Sequence, residues 1–209
     1  MSIDYSLYLV TDDSSNKRKF LKTIEEAILG GVSVVQLREK EASSLYFYNI
    51  ALKVKEITDK YNIPLIINDR IDIALAIDAE GVHLGQSDLP CKIARKIIGN
   101  KILGISASNI DEAVTAEAEG ATYIGSGAIF NTKTKDDADS VTIEELTSIV
   151  QSVNIPVVAI GGINEKNAHK LKDTGINGIS VVSAIMQSEN PKIASENLLN
   201  IIKKKEIKD

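Results

Sequence analysis

Gln36, Arg38 and Lys40 stand at every second position of the stretch VSVVQLREK, residues 32–40. Side chains along a strand alternate between faces, so a continuing strand would turn all three to one side. A guanidinium fork and an ammonium point charge together suit phosphate oxygens. Two carboxylates, Asp69 and Asp88, follow later apolar runs. Mg²⁺ commonly takes one or two carboxylates together with phosphate oxygens and water, so this pair beside cations suggests Mg²⁺ shared with a substrate phosphate. The plain alternative makes Asp69 a helix N-cap and Asp88 a turn residue before Pro90. Gly161-Gly162 and Ser183-Ala184-Ile185 suggest a second anion site of another kind. Glycines admit backbone N–H groups close to an anion, and a short helix N-terminus completes such a cradle. A Mg²⁺-neutralised diphosphate is a leaving group, whereas an amide-held monophosphate is an anchor. The pairing points to the joining of two phosphorylated substrates with loss of diphosphate.

These residues need a scaffold that gathers them on one rim. Eight short β-branched runs recur along the chain: 6–12, 32–38, 64–69, 81–85, 101–107, 121–127, 155–162 and 178–184. Helical patterns separate them. The second carries an apolar stripe of Leu45, Tyr48, Leu52, Val54 and Ile57. Asn109 with Glu112, and Thr142 with Glu145, read as N-caps with capping-box partners. Strand–helix alternation implies a parallel sheet with right-handed crossovers. Eight units at about 26 residues each fit a single (β/α)8 TIM barrel over residues 1–209. An open doubly wound sheet is the structural rival. In such barrels the chemistry lies at the C-terminal ends of the strands. There the sequence places Gln36, Arg38, Lys40, Asn68, Asp69, Asp88 and Ser106, the long loop 131–140, Gly162 and Ser183. The strand beginnings are mostly Pro, Gly, Ala and Val.

Composition narrows the function further. A net charge of −5 argues against general nucleic-acid binding. No apolar run is long enough to span a membrane. The single cysteine, Cys91, forms no internal disulfide and fits a cytoplasmic protein. It reads as a packing residue at a helix start. His83 reads as a hydrogen-bonded core histidine and His169 as a surface residue. No zinc-like spacing, GxGxxG or Walker A sequence occurs. The sequence leaves oligomeric state open and allows a homo-oligomer.

The chain resembles the thiamine-phosphate synthase family over essentially its whole length. The resemblance is carried by LYLVTD (7–12), VQLREK (35–40), IINDRIDIALAIDAEGVHLGQSDLP (66–90), GISAS (104–108), GxGxxFxTxTK (125–135), VAIGGI (158–163) and VVSAI (181–185). It implies a (β/α)8 barrel that joins 4-amino-2-methyl-5-hydroxymethylpyrimidine diphosphate to a thiazole monophosphate. It further implies a dissociative route in which diphosphate leaves before the thiazole nitrogen attacks. By the same resemblance, Arg38, Lys40, Asn68 and Lys135 hold the diphosphate, and Asp69 and Asp88 hold Mg²⁺. Gln36 and Ser106 contact the pyrimidine or stabilise developing charge. Thr132 and Thr134 meet the thiazole phosphate or carboxyl-side groups, with Gly162, Val182 and Ser183 supplying phosphate contacts, chiefly through the backbone. The family's prolines in the sixth loop are replaced here by Ala128 and Asn131. A related thiazole tautomerase and a non-catalytic thiamine-phosphate-binding barrel are the functional alternatives.

Overall fold

The β-branched runs become eight strands: β1 (Leu7–Val10), β2 (Val34–Leu37), β3 (Leu65–Asn68), β4 (Gly81–Leu84), β5 (Ile102–Ser106), β6 (Tyr123–Ser126), β7 (Val157–Ile160) and β8 (Gly178–Val181). All pair in parallel in chain order, and β8 closes on β1, so the sheet is a complete barrel. The open-sheet rival is thereby excluded. The computed structural model describes residues 3–12, 16–131 and 140–203. Among the described residues, no helix is long and apolar enough to cross a membrane.

The crossovers carry α1 (Lys17–Leu29), α2 (Ser44–Tyr61), α3 (Ile71–Ala76), α4 (Cys91–Ile98), α5 (Ile110–Ala118) and α6 (Ile143–Ser152). A 3₁₀ helix, Ala168–Thr174, makes the seventh crossover. The chain then adds a short α7 (Ser183–Met186) directly after β8, followed by α8 (Pro191–Lys203). Local chemistry sets several helix starts. Ser43 caps α2 by accepting from the Tyr46 N–H. Thr142 and Glu145 form the full capping box expected of them. Asn109 caps α5 as expected, but Glu112 reaches past it to the Ser108 N–H and hydroxyl.

The α2 stripe is met in part: Val54 is buried and Tyr48 and Ile57 pack against the core as expected, but the deepest face is a neighbouring one. Phe47, Ile50, Ala51, Val54 and Thr58 face the sheet, whereas Leu45 is 71% exposed. Tyr, Phe and Leu crowd the start of this helix, and hydrophobicity alone does not choose between two adjacent stripes. The set containing Phe47 buries a full ring. Each large side chain buried there contributes about 1.5–3 kcal/mol.

Two apolar layers result from strand alternation. Residues such as Leu7, Leu9, Val35, Leu65 and Ile67 point outward against the helices. Tyr8, Val10, Val34, Ile66, Tyr123 and Val158 fill the barrel interior. On the rim where strands begin, Arg95 ties three segments together. Its guanidinium donates to the carbonyls of Gly99, Lys101 and Gly120.

Candidate active site

Gln36, Arg38, Lys40, Asn68, Asp69, Asp88, Ser106, Gly162, Val182 and Ser183 all line one cavity of about 550 Å³ at the C-terminal ends of the strands. This is the arrangement expected of them as a group. The reason differs in part for the first three. β2 stops at Leu37, so strand alternation places Gln36 but not Arg38 or Lys40. Those two enter the cavity from the following loop, which is pinned where the Arg38 N–H donates to the Thr11 hydroxyl at 3.1 Å. Gln36 is buried inside the barrel, and its amide donates to the Tyr8 hydroxyl at 2.8 Å.

The carboxylates follow neighbouring strands. β3 and β4 are paired, with Asn68 opposite His83. Asp69 then takes a left-handed backbone, φ 60°. An Asp or Asn reaches that region more readily than other L-residues. The Asp69 N–H donates to the His83 carbonyl, which continues the sheet one bond beyond the strand. Asp69 does not cap α3: the residue at the cap position is Arg70, without a side-chain cap bond. Arg70 itself turns away to Asp72 and Ser44. Asp88 is steered by its own loop, where Oδ2 accepts from the Gly85 N–H at 2.7 Å. It is therefore both a turn residue and a lining residue. Burial, and next the neighbouring Asp88, push the Asp69 carboxyl up to about 6, while Lys40 and Arg38 pull the other way.

Opposite this acidic pair lies the glycine corner. Gly161 and Gly162 have φ of 106° and 62°. A Cβ on Gly162 would stand 2.6 Å from the Asn131 carbonyl oxygen and 2.7 Å from that of Phe130. Glycine is thus demanded twice at 162, by backbone conformation and by the approach of the sixth loop. The Gly162 carbonyl is fixed by amides from Asn164 and Asn167. Val182 and Ser183 lead into α7, the short additional helix beside this corner. Thr132, Thr134 and Lys135 lie outside the described residues.

Sequence reasoning passed over part of the floor. Tyr8, His83 and Tyr123 also line the cavity and are linked by hydrogen bonds. His83 is hydrogen-bonded, as expected, but borders the cavity. The available signal was alternation: Tyr8 lies two residues before Val10, and Tyr123 two before Gly125, on the inward face. Gln86 also contributes, donating to the Ser106 carbonyl at 2.6 Å. His169 is exposed and Cys91 is buried at the start of α4, both as expected.

A closed parallel barrel with a polar cavity at the strand C-termini is the architecture of (β/α)8-barrel enzymes. Its relatives fix the family. Residues 7–185 match the family model described as thiamine monophosphate synthase. A thiamine-phosphate synthase of Methanobrevibacter smithii is 67% identical over 205 residues, covering 98% of both chains. Another from Clostridium acetobutylicum is 58% identical over 209 residues, covering 99% of both. Among solved structures, a thiamine phosphate pyrophosphorylase from Pyrococcus furiosus superposes with a TM-score of 0.87 at 39% identity, over 96% of each chain. The chain belongs to the thiamine monophosphate synthase family.

Proposed function

We propose that the protein joins 4-amino-2-methyl-5-hydroxymethylpyrimidine diphosphate to 4-methyl-5-(2-phosphoethyl)thiazole, giving thiamine monophosphate and diphosphate. The observation that carries this reading is the division of one cavity into two anion-handling halves. Arg38, Lys40, Asn68 and the carboxylate pair line one side. Gly162, Val182 and Ser183 line the other. The reaction is a transfer of the pyrimidinylmethyl group. The methylene C–O bond breaks, with its electron pair leaving on the diphosphate. The thiazole nitrogen then gives its lone pair to the methylene carbon and becomes the quaternary nitrogen of the product. No proton transfer is required in the balance, which suits a site dominated by charge placement.

The residues present fit a bound Mg²⁺. Two carboxyls meet where burial and mutual repulsion disfavour charge on Asp69, and a divalent cation reverses both effects. Asp69 and Asp88 would hold it, and when bound it supplies positive charge to the departing diphosphate. Arg38 and Lys40 bind diphosphate oxygens, Arg38 as a two-pronged donor. Asn68 adds an amide donor. Lys135 belongs to the same group by motif, with Thr132 and Thr134 on the thiazole-phosphate side. Gln36 and Ser106 contact the pyrimidine or stabilise developing charge. Gly162 keeps backbone close to the thiazole phosphate, with Val182 and Ser183 beside it. A reducing cytoplasm suits the lone buried Cys91 thiol.

The test is product analysis with both substrates, each alone, and with and without Mg²⁺. Equal yields of thiamine monophosphate and diphosphate, requiring both substrates and Mg²⁺, are expected. Isomerisation of the thiazole without condensation would instead establish a tautomerase. Binding of thiamine phosphates without turnover would make the protein a binding barrel.

A further inference from the structure

A file of hydrogen bonds crosses the barrel interior. The Gln36 amide donates to the Tyr8 hydroxyl at 2.8 Å. The Tyr8 and Tyr123 hydroxyls lie 2.7 Å apart. Tyr123 Oη is 2.9 Å from His83 Nδ1, and His83 Nε2 is 3.0 Å from Ser106 Oγ. Five strands contribute: β2, β1, β6, β4 and β5. Burial pushes both phenols further above their ordinary pKa, so each keeps its proton at neutral pH. Every phenol therefore has one proton to give.

The Gln36 amide, a donor at one end, sets a direction. Tyr8 accepts from Gln36 and gives its proton to Tyr123. Tyr123 then gives its own to His83 Nδ1. A ring nitrogen that accepts carries no hydrogen, so the imidazole proton lies on Nε2 and points at Ser106 Oγ. We propose that Tyr8, Tyr123 and His83 form a one-way relay that fixes the His83 tautomer and holds the Ser106 hydroxyl as a donor into the cavity. Tyr8, Tyr123 and His83 are positioning residues, acting through Ser106.

The packing is built around this file. A Cβ at Gly104 would stand 2.2 Å from Tyr123 Cζ and 2.4 Å from His83 Nδ1. A Cβ at Gly125 would stand 2.9 Å from His83 Cε1. Glycines on β5 and β6 thus open the slot in which the imidazole and phenol meet. With Ser106 already accepting from His83, its own proton is committed to what enters the cavity.

The consequence for catalysis rests on the synthase reading above. A donor aimed at the pyrimidine ring would withdraw electron density from the developing cation. A donor aimed at a departing diphosphate oxygen strengthens as that oxygen gains charge. The relay therefore favours the second arrangement, and losing it slows departure more than it weakens binding.

The first test is ¹⁵N NMR of the full chain carrying ring-labelled histidine. There are two histidines, and exposed His169 serves as the reference. In the wild-type protein at neutral pH, His83 is expected to show hydrogen on Nε2 and none on Nδ1. Hydrogen on Nδ1, alone or with Nε2, overturns the relay. The second test uses Tyr123→Phe, which should mix the His83 tautomers and lower kcat about tenfold with KM changed less than about threefold. In a His83→Gln background, where no tautomer exists to set, Tyr123→Phe should add little. An equal fall in both backgrounds would mean a packing role only. Wild-type protein that makes no thiamine phosphate would defeat the synthase reading, whereas an Nδ1–H tautomer in an active enzyme would defeat the relay alone.

Discussion

The carboxyl group of Asp69 lies against that of Asp88, on the loops after the paired strands β3 and β4. Asp69 reaches this position from a left-handed backbone, and Asp88 is held by the Gly85 N–H. Two acids are thus brought together beside Arg38 and Lys40, where one of them is costly to ionise. A fold that carries such a cost gains from a cation placed between substrate and protein.

Asp69→Asn separates stability from activity. A carboxyl raised in the fold from 3.8 to about 6 binds its proton there sooner than in the unfolded chain. Its contribution to metal-free stability is therefore greatest below about 4 and is lost as pH rises through about 6. Asn keeps the shape, tolerates the positive φ and carries no charge. Metal-free Asp69→Asn should melt about 2–4 °C above wild type at pH 7.5. That advantage should vanish near pH 4, and turnover should fall at least about a hundredfold. Thermal melts at both pH values and a turnover assay check this. An unchanged or lower melting temperature at pH 7.5 would remove the claim of electrostatic cost.

Arg38→Lys retains charge but loses the fork. It should reduce kcat/KM about ten- to a hundredfold, since a point charge does not replace a bidentate donor. Steady-state kinetics with varied pyrimidine diphosphate would show it. An unaltered value would place Arg38 outside the diphosphate contacts.

Gly162→Ala meets both a positive φ and two backbone carbonyl oxygens. Backbone yields less easily than a side-chain tip, so the sixth loop or the strand end must shift. A loss of about 1–3 kcal/mol and a raised KM for the thiazole phosphate are expected. Denaturant unfolding and substrate-varied kinetics measure the two effects separately.

Arg95→Ala serves as a control on the opposite rim. It removes donors from the carbonyls of Gly99, Lys101 and Gly120, far from the polar mouth. Stability should fall by about 1.5–3 kcal/mol with kcat unchanged. A fall in kcat at temperatures well below unfolding would contradict the division of the barrel into a working rim and a supporting rim.

Local pattern carried most of the scaffold. Runs such as VVAI and LIIN are buried on both faces of a parallel sheet, so they stand out without alternation. The rim residues were legible because a barrel assigns one end of every strand to chemistry. Two local inferences held only in part, for physical reasons. The α2 stripe was ambiguous because neighbouring faces are almost equally apolar, and burial of Phe47 decided between them. Strand alternation did not extend to Arg38 and Lys40, since β2 ends at Leu37 and a loop delivers them. The Tyr8–Tyr123 contact joins residues 115 apart in sequence. Closure of the barrel brings them together, and nothing local announces it. The elevated Asp69 carboxyl likewise depends on burial and on a partner that only the folded loops supply.

The most direct test of the two-carboxylate site is calorimetric titration of diphosphate into wild-type and Asp69→Asn protein, each with and without Mg²⁺. The wild type should bind diphosphate at least about tenfold more tightly with Mg²⁺, and Asp69→Asn should lose most of that gain. Equal diphosphate affinity with and without Mg²⁺, or a Mg²⁺ effect untouched by the substitution, would contradict the account.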